Sequence, residues 1–181
     1  MDHPPEPLND PFREPVELAD PDPAWAARYA AEAERIRAAL AELEPAIEHI
    51  GSTAVPLRAK PIVDIQVGVD EPARAVAALG ALGYAHHGQG AIPGREYLTR
   101  RAPAFNVHVF ARGDPVLRDN VRLRDHLRAD PAAAAEYARA KEAALTGGAR
   151  DLLSYSDAKR GAVTSLLEAA RRAGGSGPTS C

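Results

Sequence analysis

The sequence has a single cysteine among 181 residues, Cys181 at its very end. No intrachain disulfide can form, and no cysteine cluster can hold zinc. It lacks any run of about 18 apolar residues, so no transmembrane helix and no membrane partner are expected. Positive charge is not in excess: 22 Lys and Arg stand against 25 Asp and Glu, a formal charge of −3. A protein that coats nucleic acid needs the opposite balance, because its affinity comes from cations that release counterions. That leaves room for one local basic pocket. The first twenty residues carry prolines and acids without the apolar stretch of a signal peptide, which points to a cytoplasmic chain. Neither an internal repeat nor a dividing linker is found.

The composition is that of an ordinary globular domain, 45% hydrophobic and 26% charged, at a length that supports one core. Residues 1–15 are expected to form a loose arm, 16–173 a single domain, and 174–181 (GGSGPTSC) a flexible tail. After Asp22-Pro23, which suit a helix start, Trp25, Tyr29, Ile36, Leu40 and Leu43 recur at helical spacing. Residues 46–50 (AIEHI) read as a short strand ending at Gly51-Ser52-Thr53. Residues 62–69 read as a stronger one, with Val63, Ile65, Val67 and Val69 on one face and Asp64 and Gln66 on the other. Asp70 is expected to cap a helix from Pro72, and strands are expected at 84–87, 95–100 and 105–110. Helices follow near 115–128, 131–145 and 156–172, the first two opened by Asp-Pro and the last capped by Ser156. The fold class is α/β (α+β), a mixed sheet flanked by helices, with extra helices at the C-terminal end.

Gly51 lets backbone N–H groups approach an anion, and the hydroxyls of Ser52 and Thr53 add donors. Asp64 interrupts an apolar strand, where an unpaired carboxylate is costly. It could hold a divalent cation, Mg²⁺ or Mn²⁺, against bound phosphates, or simply pair with Lys60 or an arginine. His108 has the same relation to its own valine row. If the two strands are neighbours, Asp64, Gln66, Asn106 and His108 share a polar face. His49 precedes the Gly51 turn and either reaches a ligand or bonds that turn. Lys60, Arg95, Arg100, Arg101, Arg124 and Lys159 are the basic candidates, and Tyr155 lies four residues before Lys159, on the same helix face. The arginines of residues 118–128 alternate with Asp119 and Asp125, which suggests a solvated, salt-bridged helix.

The run Glu48-His49-Ile50-Gly51-Ser52-Thr53-Ala54-Val55-Pro56, followed by Lys60-Pro61-Ile62-Val63-Asp64-Ile65, resembles the signature of the GrpB family. Ile92-Pro93-Gly94-Arg95, Asn106-Val107-His108-Val109-Phe110, Glu136-Tyr137 with Lys141, and Tyr155-Ser156-Asp157-Ala158-Lys159-Arg160 agree with it, so that the similarity spans residues 16–171. The resemblance implies a nucleotidyltransferase-like fold and a pocket for a nucleotide or another phosphorylated small molecule. In some bacteria a similar domain is fused to dephospho-coenzyme A kinase. Gln66 stands where a catalytic nucleotidyltransferase has its second acid, and His108 stands near the place of a third. Pro56 runs straight into Leu57, where the family usually has a glycine. The pocket could serve an enzyme, with Asp64, His108 and Lys159 in catalysis and Asp64 and His108 as metal ligands. Alternatively it could be a binding or regulatory module on a degenerate nucleotidyltransferase fold.

Overall fold

A computed structural model describes residues 11–174. The ten residues before them and the seven after lie outside the described residues, and with them most of the expected arm and tail. Helix α1 (Ala24–Ala39) is followed by strands β1 (Ala46–Ile50) and β2 (Val63–Val69), helix α2 (Pro72–Ala81), and strands β3 (Ala85–His86), β4 (Glu96–Arg101) and β5 (Ala104–Ala111). Helices α3 (Pro115–Ala129), α4 (Pro131–Thr146) and α5 (Leu152–Gly174) complete the chain.

The strands form one mixed sheet in the order β1-β2-β5-β4-β3. Only β2 and β5 run parallel, with Val63 opposite Phe105, Asp64 opposite Asn106 and Gln66 opposite His108. The alternation seen in the sequence therefore becomes two faces. One carries Val63, Ile65, Val67, Val69, Leu98, Phe105, Val107 and Val109 against Trp25, Ile36 and Leu40 of the α1 region and Leu79 of α2. The other carries Asp64, Gln66, Asn106 and His108 and is partly roofed by α3–α5. Gly68 belongs to that second face: a Cβ there would stand 2.8 Å from Leu117 Cδ1, so glycine lets α3 settle onto the sheet.

Several local expectations change. Asp70 does not cap α2, because its carboxylate takes Arg112 Nε at 3.0 Å, and the cap position falls on Glu71. Helix α5 begins at Leu152, four residues before Ser156. Asp151 Oδ1 accepts the Ser154 N–H at 2.9 Å, so an upstream Asp starts the helix and Ser156 lies inside it. Asp114 and Asp130 do cap α3 and α4. Residues 11–15 are not loose: they rest on the domain, with Pro15 bridging to Asp151.

On the α1 side one buried charge holds helix and sheet together. Glu32, 3% exposed, accepts Tyr84 OH at 3.0 Å, Arg35 at 2.9 Å and Arg100 Nη2 at 2.5 Å. Burial and the neighbouring carboxylate push the Tyr84 hydroxyl's pKa up. Arg100 lies 5.0 Å from the ring centres of both Tyr84 and Phe105. Removing one partner of such a pair strands the other charge. Glu32→Ala is expected to lower the unfolding free energy in urea by about 3–5 kcal/mol. The double variant Glu32→Leu/Arg100→Met should recover most of that loss.

Candidate functional site

The polar face of the sheet is built around Asp64. Its carboxylate, 26% exposed, accepts Asn106 Nδ2 at 2.8 Å and His108 Nε2 at 3.3 Å, both on Oδ1. Burial works to raise its pKa. The hydrogen bonds from His108 and Asn106 and the nearby charges of His108 and Lys159 outweigh burial and hold it below the usual carboxylate value. Oδ2 lies against the backbone of Gly51, where a Cβ would sit 2.7 Å away. Gly51 has φ 71° and ψ −167°, a conformation open to glycine alone. The turn can therefore approach the carboxylate only with glycine at this position.

Lysines close the other side of the turn. Ser52 Oγ is 3.1 Å from Tyr137 OH on α4. Lys159 Nζ lies 4.7 Å from the Tyr155 ring centre and 5.9 Å from that of Tyr137, and Lys141 Nζ lies 5.3 Å from that of Tyr137. Burial, then the charges of Lys159 and Arg58, pull the Lys141 pKa down to about 8. Lys141 is 1% exposed and donates to the Arg58 carbonyl. Among the described residues neither lysine has a carboxylate at ion-pair distance. Buried Tyr155 has its hydroxyl pKa pushed up by desolvation and by Tyr137. Along β4, Tyr97 lies 5.2 Å from the His108 ring, with the guanidinium of Arg95 4.7 Å from the Tyr97 ring centre. Arg95 is 7% exposed, and that burial lowers its pKa against the favourable pull of Tyr97 and Asp64.

Contacts and charges thus link Asp64 to Gly51, His108, Arg95 and Lys159, and Lys159 in turn to Tyr155, while Ser52 meets Tyr137. Gln66 is not available to this group: its Nε2 donates to the Leu117 carbonyl at 3.0 Å and its Oε1 accepts Asn120 Nδ2 at 3.0 Å. Arg124 braces β1 to α3 through Glu48 at 2.7 Å, Asp125 at 2.8 Å and the His49 carbonyl at 3.0 Å. Lys60 is paired with Glu14 at 3.0 Å. Tyr137 and Lys141 were not singled out as site residues from the sequence. The signal that identifies them is a repeated pattern, Tyr137/Lys141 on α4 and Tyr155/Lys159 on α5, each four residues apart.

The donor set does not complete the carboxylate pair of a catalytic nucleotidyltransferase. Glu48, which lies on the same face opposite Gln66, is taken by Arg124, Gln66 has both amide atoms engaged, and no three His, Cys, Asp or Glu side chains group as metal ligands among the described residues.

His49 and Thr53 belong to the core side instead. His49 pairs with Ile65 across the sheet, which points it away from Asp64's face. Its ring stacks on Tyr29 at 4.7 Å, and Nε2 meets Thr53 Oγ1 at 3.0 Å. Burial, partly offset by Asp64 and reinforced by Arg128 and Arg124, pushes its pKa from 6.5 down to about 4. The unfolded chain therefore binds the extra proton first, and stability falls as pH drops from 6.5 towards 4. The loss should approach about 3 kcal/mol across that window. Asp64, held below the usual carboxylate value, stabilises the fold throughout this window, and its contribution is lost only as pH falls further. Urea unfolding of His49→Gln should show a much flatter profile between pH 6.5 and 4.5 than the parent chain.

Comparison with known proteins agrees with this architecture. The family model described as GrpB protein matches residues 15–169. A UPF0157 protein of Streptomyces coelicolor is 39% identical over 165 residues, covering 87% of each chain. The crystal structure of the conserved protein GrpB from Enterococcus faecalis superposes with a TM-score of 0.72 at 28% identity, covering 84% of this chain and 98% of that one. The Cid1 poly(U) polymerase is a looser neighbour, with a TM-score of 0.46 at 16% identity over 78% of this chain and 49% of its own. With a family model over nearly all of its described length and a relative this similar, the chain belongs to the GrpB family.

Proposed function

We propose that the space between Asp64 and the α4–α5 wall binds the polyphosphate of a nucleotide or a similarly phosphorylated small molecule. One observation carries this reading: Lys141 and Lys159 meet at the ring of Tyr137, whose hydroxyl touches Ser52, with no carboxylate at ion-pair distance among the described residues. Lys141 is buried with only a carbonyl for partner and Lys159 is half-buried, so bound phosphate oxygens would supply the counter-charge that both lack. Ser52, Tyr137 and Tyr155 supply neutral donors around the same charges.

The arrangement supports phosphoryl or nucleotidyl transfer. Asp64 uses Oδ1 for Asn106 and His108, which leaves Oδ2 to orient an acceptor hydroxyl. The Asp64–His108 pair would take that proton as the acceptor oxygen attacks phosphorus, and the leaving phosphate would depart towards Lys141 and Lys159. That Glu48 is taken by Arg124 and no second carboxylate joins Asp64 favours a second reading, a module that binds such a ligand without turning it over.

Titration calorimetry with ATP, UTP and dephospho-coenzyme A, each with Mg²⁺ and with EDTA, tests the pocket. Lys141→Ala and Lys159→Ala should each weaken binding about ten- to a hundred-fold, the worth of one charged hydrogen bond. Failure of all three ligands to bind the parent chain at millimolar concentration would sink the reading. Asp64→Asn should keep affinity within a few-fold and reduce any phosphate or pyrophosphate release by about 10²–10⁴. Binding without release in the parent chain would decide for the module.

A further inference from the structure

Lys60, on the loop entering β2, and Arg101, at the end of β4, converge on one carboxylate. Lys60 Nζ donates to Glu14 Oε2 at 3.0 Å, and Arg101 Nε donates to Glu14 Oε1 at 2.5 Å. All three side chains are largely covered, at 18%, 32% and 21% exposure respectively for Lys60, Arg101 and Glu14. Arg101 also donates from Nη1 to Asn106 Oδ1 at 3.1 Å, and Asn106 is the residue that holds Asp64. The cation pair therefore stands one hydrogen-bonded residue away from the Asp64 carboxylate.

Glu14 reaches this place on a strap, residues 11–20, that contributes no strand to the sheet and only a short 3₁₀ turn at Pro11–Arg13. The strap is fastened by its backbone: Leu152 N–H donates to the Glu14 carbonyl at 3.1 Å, and Ala19 and Ala59 exchange hydrogen bonds at 2.9 and 3.0 Å. Val16 packs beside Tyr155 and Ala144, below the turn of α5 that carries Lys159. None of these fastenings uses the Glu14 carboxylate.

We propose that Lys60 and Arg101 form a second anion subsite, for a phosphate group of the ligand bound at Asp64, and that Glu14 is its built-in competitor. Two carboxylate oxygens reproduce two of the three that a phosphate presents to a lysine and an arginine. Partly exposed ion pairs contribute little to stability, so holding the fold does not by itself require a carboxylate here. Hydrogen bonds from Arg101 and Lys60 overcome burial and keep Glu14 ionised, as an occupant that mimics an anion must be. The subsite's place in a larger ligand rests on the reading of the Asp64 pocket given above, whereas its capacity for phosphate does not.

Inorganic phosphate is the probe, and its apparent dissociation constant is read from thermal shifts in which each full-length variant serves as its own reference. Glu14→Ala should bind phosphate at least tenfold more tightly than the parent chain. Adding Lys60→Ala or Arg101→Met to Glu14→Ala should abolish the gain, while adding Lys141→Ala should leave it intact. Unchanged affinity in Glu14→Ala overturns the proposal, as does a gain that survives loss of both Lys60 and Arg101. A gain that disappears only with Lys141→Ala would place the phosphate in the other pocket, which also overturns it. Nucleotide titrations of the parent chain report separately on the Asp64 pocket, so the two readings fail by different results.

Discussion

The parallel pairing of β2 with β5 is the constraint on which the rest of the molecule depends. Its register sets Asp64 beside Asn106 and Gln66 beside His108, two polar pairs on strands whose opposite face carries Val63, Ile65, Val67, Val69, Phe105, Val107 and Val109. A shift of one residue would turn Asp64 into the α1–α2 core and a valine towards the helices, so the hydrophobic face enforces the polar one. Parallel strands cannot be joined by a tight turn. The excursion through α2, β3 and β4 brings Tyr97 and Arg101 to the same edge of the polar face as His108 and Asn106.

The two faces solve their electrostatics differently. On the α1 side, buried Glu32 is matched by Arg35, Arg100 and Tyr84, which satisfy its carboxylate although Arg100 Nε keeps no partner of its own. On the α4–α5 side, Lys141 and Lys159 gather by tyrosine rings and a backbone carbonyl, and burial lowers the Lys141 pKa. Removing one partner of the first arrangement would strand the other charge, whereas the lysines of the second have no carboxylate to lose among the described residues. Glu14 sits between these cases, since it closes Lys60 and Arg101 from a segment fastened by other means.

Much of the fold was legible in the residues. The alternating rows of β2 and β5, the apolar stripe from Trp25 to Leu43 and the Asp-Pro starts of α3 and α4 are local patterns, and each has its expected element. Misreadings arose where a side chain had a distant competitor. Asp70 left the α2 cap for Arg112, which comes from beyond β5, and Asp151 displaced Ser156 as the start of α5. Of the site, Asp64, His108, Gly51 and Ser52 were recognisable because a carboxylate and an imidazole in valine strands, and a glycine before a serine, stand out locally. Gln66, His49, Thr53 and Arg124 looked equivalent in sequence, yet their partners on α3, α1 and β1 draw them into structural bonds.

The sequence by itself determined the strand faces, the glycine turn and the family, because these depend on residue type and spacing over a few neighbours. Tertiary structure alone decided which polar groups face one another. Lys141 and Lys159 are 18 residues apart in the chain, Ser52 and Tyr137 are 85 apart, and Glu14 and Arg101 are 87 apart. Hydrogen bonds and ion pairs act over about 3 Å, and no local pattern encodes which distant atoms the packed helices will bring within that reach.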